Sequence, residues 1–129
     1  MNFTEFLEAV RRQAGLPPTE AANVIRATLT TLAERISGSE ARNLATQLPE
    51  EYRGYLHKEV DFAEILDRVE FLNEVRTRSG LDDQRAAEGA RAVLMTLREA
   101  MSADEFENLD SELSEDIRQL FHPEGRVWA

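Results

Sequence analysis

The sequence predicts an all-α protein, and three observations carry that prediction. Polar capping residues recur just ahead of apolar residues spaced i, i+3, i+4, i+7. Only four prolines and six glycines interrupt 129 residues. β-branched residues never alternate with polar ones over a strand's length, so no sheet is expected. The expected architecture is eight short helices, written as two tandem four-helix repeats that pack about a pseudo-twofold axis. Short amphipathic helices bury too little surface alone, and 129 residues suit one shared core, so residues 1–129 are read as a single domain.

The first helix opens at Asn2, with Glu5 at the position that completes a capping box. Phe3, Phe6, Leu7, Val10 and Ala14 share one face. Gly15 closes the last turn, because a left-handed residue there carries no Cβ penalty, and Leu16 folds back across it. Pro17 and Pro18 open a second helix where missing amide donors cost least. Its expected apolar stripe is Ala22, Ile25, Leu29, Leu32 and Ile36. Ser37 and Glu40 have capping-box spacing and start a third helix through Ala41, Leu44 and Leu48. Pro49 then opens a short fourth helix through Tyr52, Tyr55 and Leu56, with His57 in its last turn.

A shift of 65 residues, without a gap, writes the same pattern again. The stretch from Arg26 to Glu34 returns as Arg91 to Glu99, Phe6-Leu7 as Phe71-Leu72, and Gly15-Leu16 as Gly80-Leu81. Ser37 and Glu40 fall on Ser102 and Glu105, and Asn2 and Glu5 on Asp67 and Glu70. Of the 52 positions from 6 to 57, 22 are identical in the second copy, which identifies an internal duplication. Repeat 1 covers about residues 2–58 and repeat 2 about 67–123. Between them, Asp61 to Leu66 is expected to form a helical turn that docks Phe62, Ile65 and Leu66. Pro123 to Gly125 stop helix formation, and Trp128 either packs back or frays with the terminus. The second helix of each copy is the longest and richest in alanine, which permits close approach and places both near the centre.

Composition excludes whole classes of activity. The hydrophobic fraction of 42% with 31% charged residues fits a folded globular chain. There is no cysteine, which removes disulfides, thiolate metal sites and cysteine nucleophiles and fits a reducing cytoplasm. No cleavable signal is recognisable after Met1, and no run of about 18 apolar residues exists, so a cytoplasmic protein with no membrane partner is expected. The net charge of −10 is lopsided. Residues 1–58 carry seven basic and seven acidic side chains, whereas 59–129 carry eight basic and eighteen acidic. Such a surface repels phosphate backbones, so no nucleic acid is expected, and it favours a basic protein partner at the acidic second repeat.

Candidate chemistry is sparse. His57 and His122 are the two histidines and occupy equivalent positions, so a metal site with carboxylates such as Glu115 and Asp116 is conceivable. The competing reading is a helix C-terminus favoured by the macrodipole and copied with the rest. No His-x-x-x-His or Glu-x-x-His spacing is present. Arg26, Glu34, Arg91 and Glu99 are kept in both copies, as are Glu50/Glu115 and Arg53/Arg118. The first four are candidates for a polar groove between the repeats, against a reading as salt bridges at helix edges. The carboxylates from Asp104 to Asp116 lack the order of a calcium loop and alternate with Phe106, Leu109 and Leu113, as a solvated helix face does. Gly-x-Ser-x-Gly, Ser-x-x-Lys, Gly-x-Gly-x-x-Gly and Walker signatures are absent, so no catalytic residue and no cofactor is assigned.

Phe6-Leu7-x-x-Val10, Gly15-Leu16, Arg26-Ala27-x-Leu29-x-x-Leu32 and Leu44-x-x-Gln47-Leu48-Pro49 together resemble the bacterial family called domain of unknown function 2267. Their return from Phe71 to Leu113 resembles that family's two-copy layout, and the likeness extends to about His122. It implies a small cytoplasmic helical protein of bacteria, and it brings no activity, cofactor or catalytic residue with it. The second copy departs at Glu112-Leu113-Ser114, where the first has Gln-Leu-Pro. Three functions follow as expectations: foremost a non-enzymatic protein-interaction module, then a small-ligand or metal-binding protein with its site between the repeats, then a self-associating structural protein.

Overall fold

The computed structural model describes residues 1–58, 63 and 67–121, which form helices and no strand. The chain is all-α, as its patterning predicts. The helices are α1 (Phe3–Ala14), α2 (Pro18–Ala33), α3 (Gly38–Gln47), a 3-10 helix (Glu50–Leu56), α4 (Arg68–Ser79), α5 (Asp83–Ala100), α6 (Ala103–Ser111), α7 (Glu115–Arg118) and a second 3-10 helix (Gln119–Phe121). The expected turn around Phe62, Ile65 and Leu66, the stop at Pro123 and the placement of Trp128 lie outside the described residues.

Local chemistry sets most of the boundaries. Asn2 Oδ1 accepts from Glu5 N at 2.8 Å, while Glu5 Oε1 accepts from Asn2 N at 3.0 Å, completing the capping box. Asp67, Asp82, Ser102 and Ser114 cap α4, α5, α6 and α7 through the same three-residue reach, each bond contributing about 1 kcal/mol. Gly15 and Gly80 end α1 and α4 at φ 67° and 74°, a region other side chains resist. Leu16 is buried behind its turn, with its N–H on Arg11 O. Two details differ from expectation. The segment after Pro49 is a 3-10 helix, since seven residues squeezed between a proline and His57 leave little room for α turns. Ala22 is exposed and Ala21 and Val24 are buried instead, because α2 is covered on two sides and its buried face is wider than one stripe.

The two long helices, α2 and α5, pack against each other at the centre, and each also takes the other segment's first helix: α1 lies on α5 and α4 lies on α2. Their contact is tightest where Val24 faces Gly89. A Cβ built on Gly89 would lie 2.7 Å and 3.1 Å from the two γ-carbons of Val24, so the position has no room for any side chain. Glycine in mid-helix costs about 1 kcal/mol of propensity relative to alanine, and close packing of two helices offsets it here. Phe6, Ile25, Leu29, Phe71, Leu94 and Leu97 fill the surrounding core with no exposed surface. The short helices close the ends: Tyr52 sits 5.2 Å from both Phe3 and Phe6, and Phe121 sits 5.5 Å from Phe106.

Candidate functional site

Of the four residues expected to line a polar groove, Arg26 and Glu34 are brought together and are engaged with α4. Arg78, near the end of α4, donates to Glu34 Oε1 at 3.0 Å, to Glu34 Oε2 at 2.8 Å and to Thr31 Oγ1 at 2.9 Å. Glu74 adds a carboxylate 3.5 Å from the same guanidinium. Arg26 Nη2 donates to the Arg78 carbonyl at 3.0 Å, which ties the backbone of α4 as well as its side chain to α2. The planar fork of arginine matches a carboxylate with two parallel bonds, and only 26% of the Arg78 side chain and 33% of the Glu34 side chain face water. This cluster is a clamp between two helices.

Arg91 and Glu99 stand elsewhere, on α5. Arg91 borders an open depression of about 320 Å³ between α1 and α5, together with Gln13, Glu88, Ala92 and Met95. A second depression, of about 310 Å³, shares Glu88 and continues along the same helices past Ala14, Gly15 and Arg85. Gln13 Nε2 donates to Thr96 Oγ1 at 3.1 Å across this groove. Glu99 lies eight residues beyond Arg91, about 12 Å along the helix axis, too far for a direct pair. Its side chain is exposed and has no hydrogen-bond or ion-pair partner among the described residues. The four residues shared under the 65-residue shift therefore do not converge on one site: two form the α2–α4 clamp, one borders the α1–α5 groove, and Glu99 is exposed farther along α5.

His57 is exposed at the end of the first 3-10 helix, its N–H on Gly54 O at 3.3 Å. His122 lies outside the described residues. Among the described residues no group of three metal-ligating side chains occurs. The acidic run is less of a solvated face than its composition implies. Asp110 and Glu115 hold Arg118 at 3.1 Å and 3.3 Å, and Asp116 accepts from the Arg68 backbone at 2.6 Å. Glu112 reaches across to accept from Ser37 N at 2.8 Å and Ser37 Oγ at 3.0 Å. Glu112 thus occupies the capping position expected of Glu40, whose own carboxyl is buried. Burial holds Glu40 above its ordinary value of 4.5, Glu112 and Glu105 push it the same way, and a hydrogen bond with Asn43 opposes them. Tyr52, with its hydroxyl buried and lacking a hydrogen-bond partner among the described residues, is pushed up to about 12, first by burial.

The residues missed at the sequence level are Gln13, Arg78, Glu88 and Met95. Comparing copies drew attention to identical pairs. The groove has glutamine at position 13 where the clamp, 65 residues on, has arginine at position 78, so the informative signal was a mismatch under that shift.

The family model described as an uncharacterized conserved protein, DUF2267, matches residues 3–120. The chain belongs to the DUF2267 family. The match spans all the helices named above except the last residue of the final turn. No curated protein matches the chain. Family membership therefore adds no reaction, ligand or partner, and the site must be read from its geometry. No helix among the described residues is long and apolar enough to cross a membrane.

Proposed function

We propose that this DUF2267 protein is a non-enzymatic protein-interaction module of the bacterial cytoplasm, and that the groove between α1 and α5 is its contact surface. In this reading residues 1–129 are one domain, built of repeats at about 2–58 and 67–123 related by a pseudo-twofold axis. The observation that carries the proposal is the groove itself. An apolar floor of Ala92 and Met95 is edged by long polar side chains, Gln13, Glu88 and Arg91, which is the composition of a rim and centre that accept another protein. Methionine adapts its shape to whatever packs on it. The net charge of −10 favours a basic partner through faster encounter. Nothing in this reading requires a cofactor or nucleic acid.

The test is site-specific photo-crosslinking. A photoreactive side chain at position 95 is expected to capture one identified protein in cells, and the same group at exposed Glu107 on α6 is not. Equal capture from both positions, or capture from 107 alone, overturns the assignment of the surface. The runner-up is a small-ligand protein, favoured by the depression's 320 Å³, which falls at the low end of ligand pockets. A small-molecule library that raises the melting temperature in the wild type but not in Met95→Trp, with no protein captured from position 95, selects that reading instead.

A further inference from the structure

We infer that the α1–α5 groove takes an arginine side chain from its partner, a deepening that rests on the interaction reading above. The chain carries its own template for that occupant. Positions 13, 96 and 99 stand 65 residues from 31, 34 and 78 in the crossed sense: Gln13 corresponds to Arg78, Thr96 to Thr31 and Glu99 to Glu34. At the α2–α4 contact a guanidinium from Arg78 bonds Thr31 Oγ1 and both oxygens of Glu34. At the α1–α5 contact the shorter Gln13 bonds Thr96 Oγ1 at 3.1 Å, and Glu99 is left exposed without a partner among the described residues. The backbone frames agree, since both hydroxyls donate back to the carbonyl four residues earlier, Thr31 to Ala27 at 2.8 Å and Thr96 to Ala92 at 2.7 Å. Both helices end at a left-handed glycine, Gly15 two residues after Gln13 and Gly80 two residues after Arg78.

A second arginine nearby is no obstacle. Arg26, the counterpart of Arg91, lies close enough to Arg78 to bond its carbonyl at 3.0 Å. The groove also trades one carboxylate for another: Ala9 stands where Glu74 supports Arg78, but Glu88 stands where the first copy has Asn23. A flat cationic fork meeting Glu99, with its propyl stem on Met95 and Ala92, satisfies the carboxylate and covers the apolar floor together. Lysine fits worse, because a point charge forms no pair of parallel bonds.

The experiment titrates the full chain with the blocked tripeptide Gly-Arg-Gly and its citrulline counterpart, which keeps the shape and loses the charge, at millimolar concentrations. The Met95 methyl and Gln13 side-chain amide resonances report binding. The arginine peptide is expected to shift both resonances at least fivefold more than the citrulline peptide at equal concentration. Glu99→Gln is expected to weaken the arginine response at least threefold, and Glu107→Gln to leave it unchanged. Gln13→Arg fills the groove from within and is expected to abolish the response while the chain stays folded, as its amide spectrum shows. Equal responses to the two peptides, or a response retained in Gln13→Arg, overturn the inference. Failure here alongside a partner captured from position 95 leaves the interaction reading standing, and an arginine response without any captured partner sinks that reading alone.

Discussion

Gly89 and Val24 show how much one pair of side chains decides. They stand 65 residues apart, at positions matched by the sequence's own self-similarity, and they meet each other where α2 crosses α5. Gly89→Ala gains helix propensity of about 1 kcal/mol but forces a methyl to 2.7 Å from a valine whose rotamer a helix restricts. Overpacking costs about 1–3 kcal/mol, so after that gain a net loss of up to about 2 kcal/mol is expected in urea denaturation. Adding Val24→Ala moves the missing volume to the other side of the contact, and the two changes should couple by about 1 kcal/mol or more in a double-mutant cycle. Strict additivity would mean that the helices do not meet there. Tyr52 poses the opposite case. Its ring is held among Phe3, Phe6 and Tyr55, and its buried hydroxyl finds no partner among the described residues. Tyr52→Phe keeps the ring and removes a desolvated polar atom, so stability should hold or rise by up to about 1 kcal/mol; a loss larger than that would reveal a hydrogen bond to the hydroxyl.

At the scale of elements, the short helices are held by bonds that cross from one half of the chain to the other. α3 begins at Ser37, whose amide and hydroxyl both donate to Glu112 just after α6. Spacing made Glu40 the natural capping partner, and nothing local reveals that a residue 75 positions away takes the role. Glu112→Ala should cost about 1–2 kcal/mol and speed amide exchange in the first turn of α3, whereas Glu107→Ala should do neither. The α2–α4 clamp belongs to the same scale. Arg78→Gln copies the residue found at position 13 and should cost about 1–2 kcal/mol, because bonds to Thr31 and Glu34 are lost from a contact only a quarter to a third exposed. It also opens the groove's counterpart, so an arginine peptide should then perturb α2–α4 as well as α1–α5.

The whole molecule has a pH dependence set in part by Glu40. Its folded value lies above the ordinary 4.5, first because of burial. The sign follows from linkage: the folded state holds that proton more tightly, so the contribution favours folding below 4.5 and is lost as pH rises through the raised folded value. Glu40→Gln removes the charge and should be more stable than the wild type at neutral pH, with the difference shrinking to nothing as the pH falls below 4.5. Melting curves at intervals between pH 4 and 8 read this directly, and a difference that grew on acidification would contradict it. Loss of solvation comes first because the residue is buried, and the like charges of Glu112 and Glu105 add to it.

The helical class, the caps at Asn2, Asp67 and Ser102, and the left-handed stops at Gly15 and Gly80 were determined by the sequence itself, because helix starts and stops depend on groups within four residues. The core faces were largely legible for the same reason, and Ala22 misled only where a helix is covered from two sides. Tertiary structure alone decided that Glu112 caps α3, that Glu40 is buried, and that Arg26 and Glu34 are joined through Arg78 instead of facing Arg91 and Glu99. These outcomes depend on which helix lies against which, at separations of 44 to 75 residues, and no local pattern encodes the pairing. The α1–α5 groove is of the same kind: Gln13 of α1 comes to Ala92 and Met95 of α5 only because those two helices lie against each other.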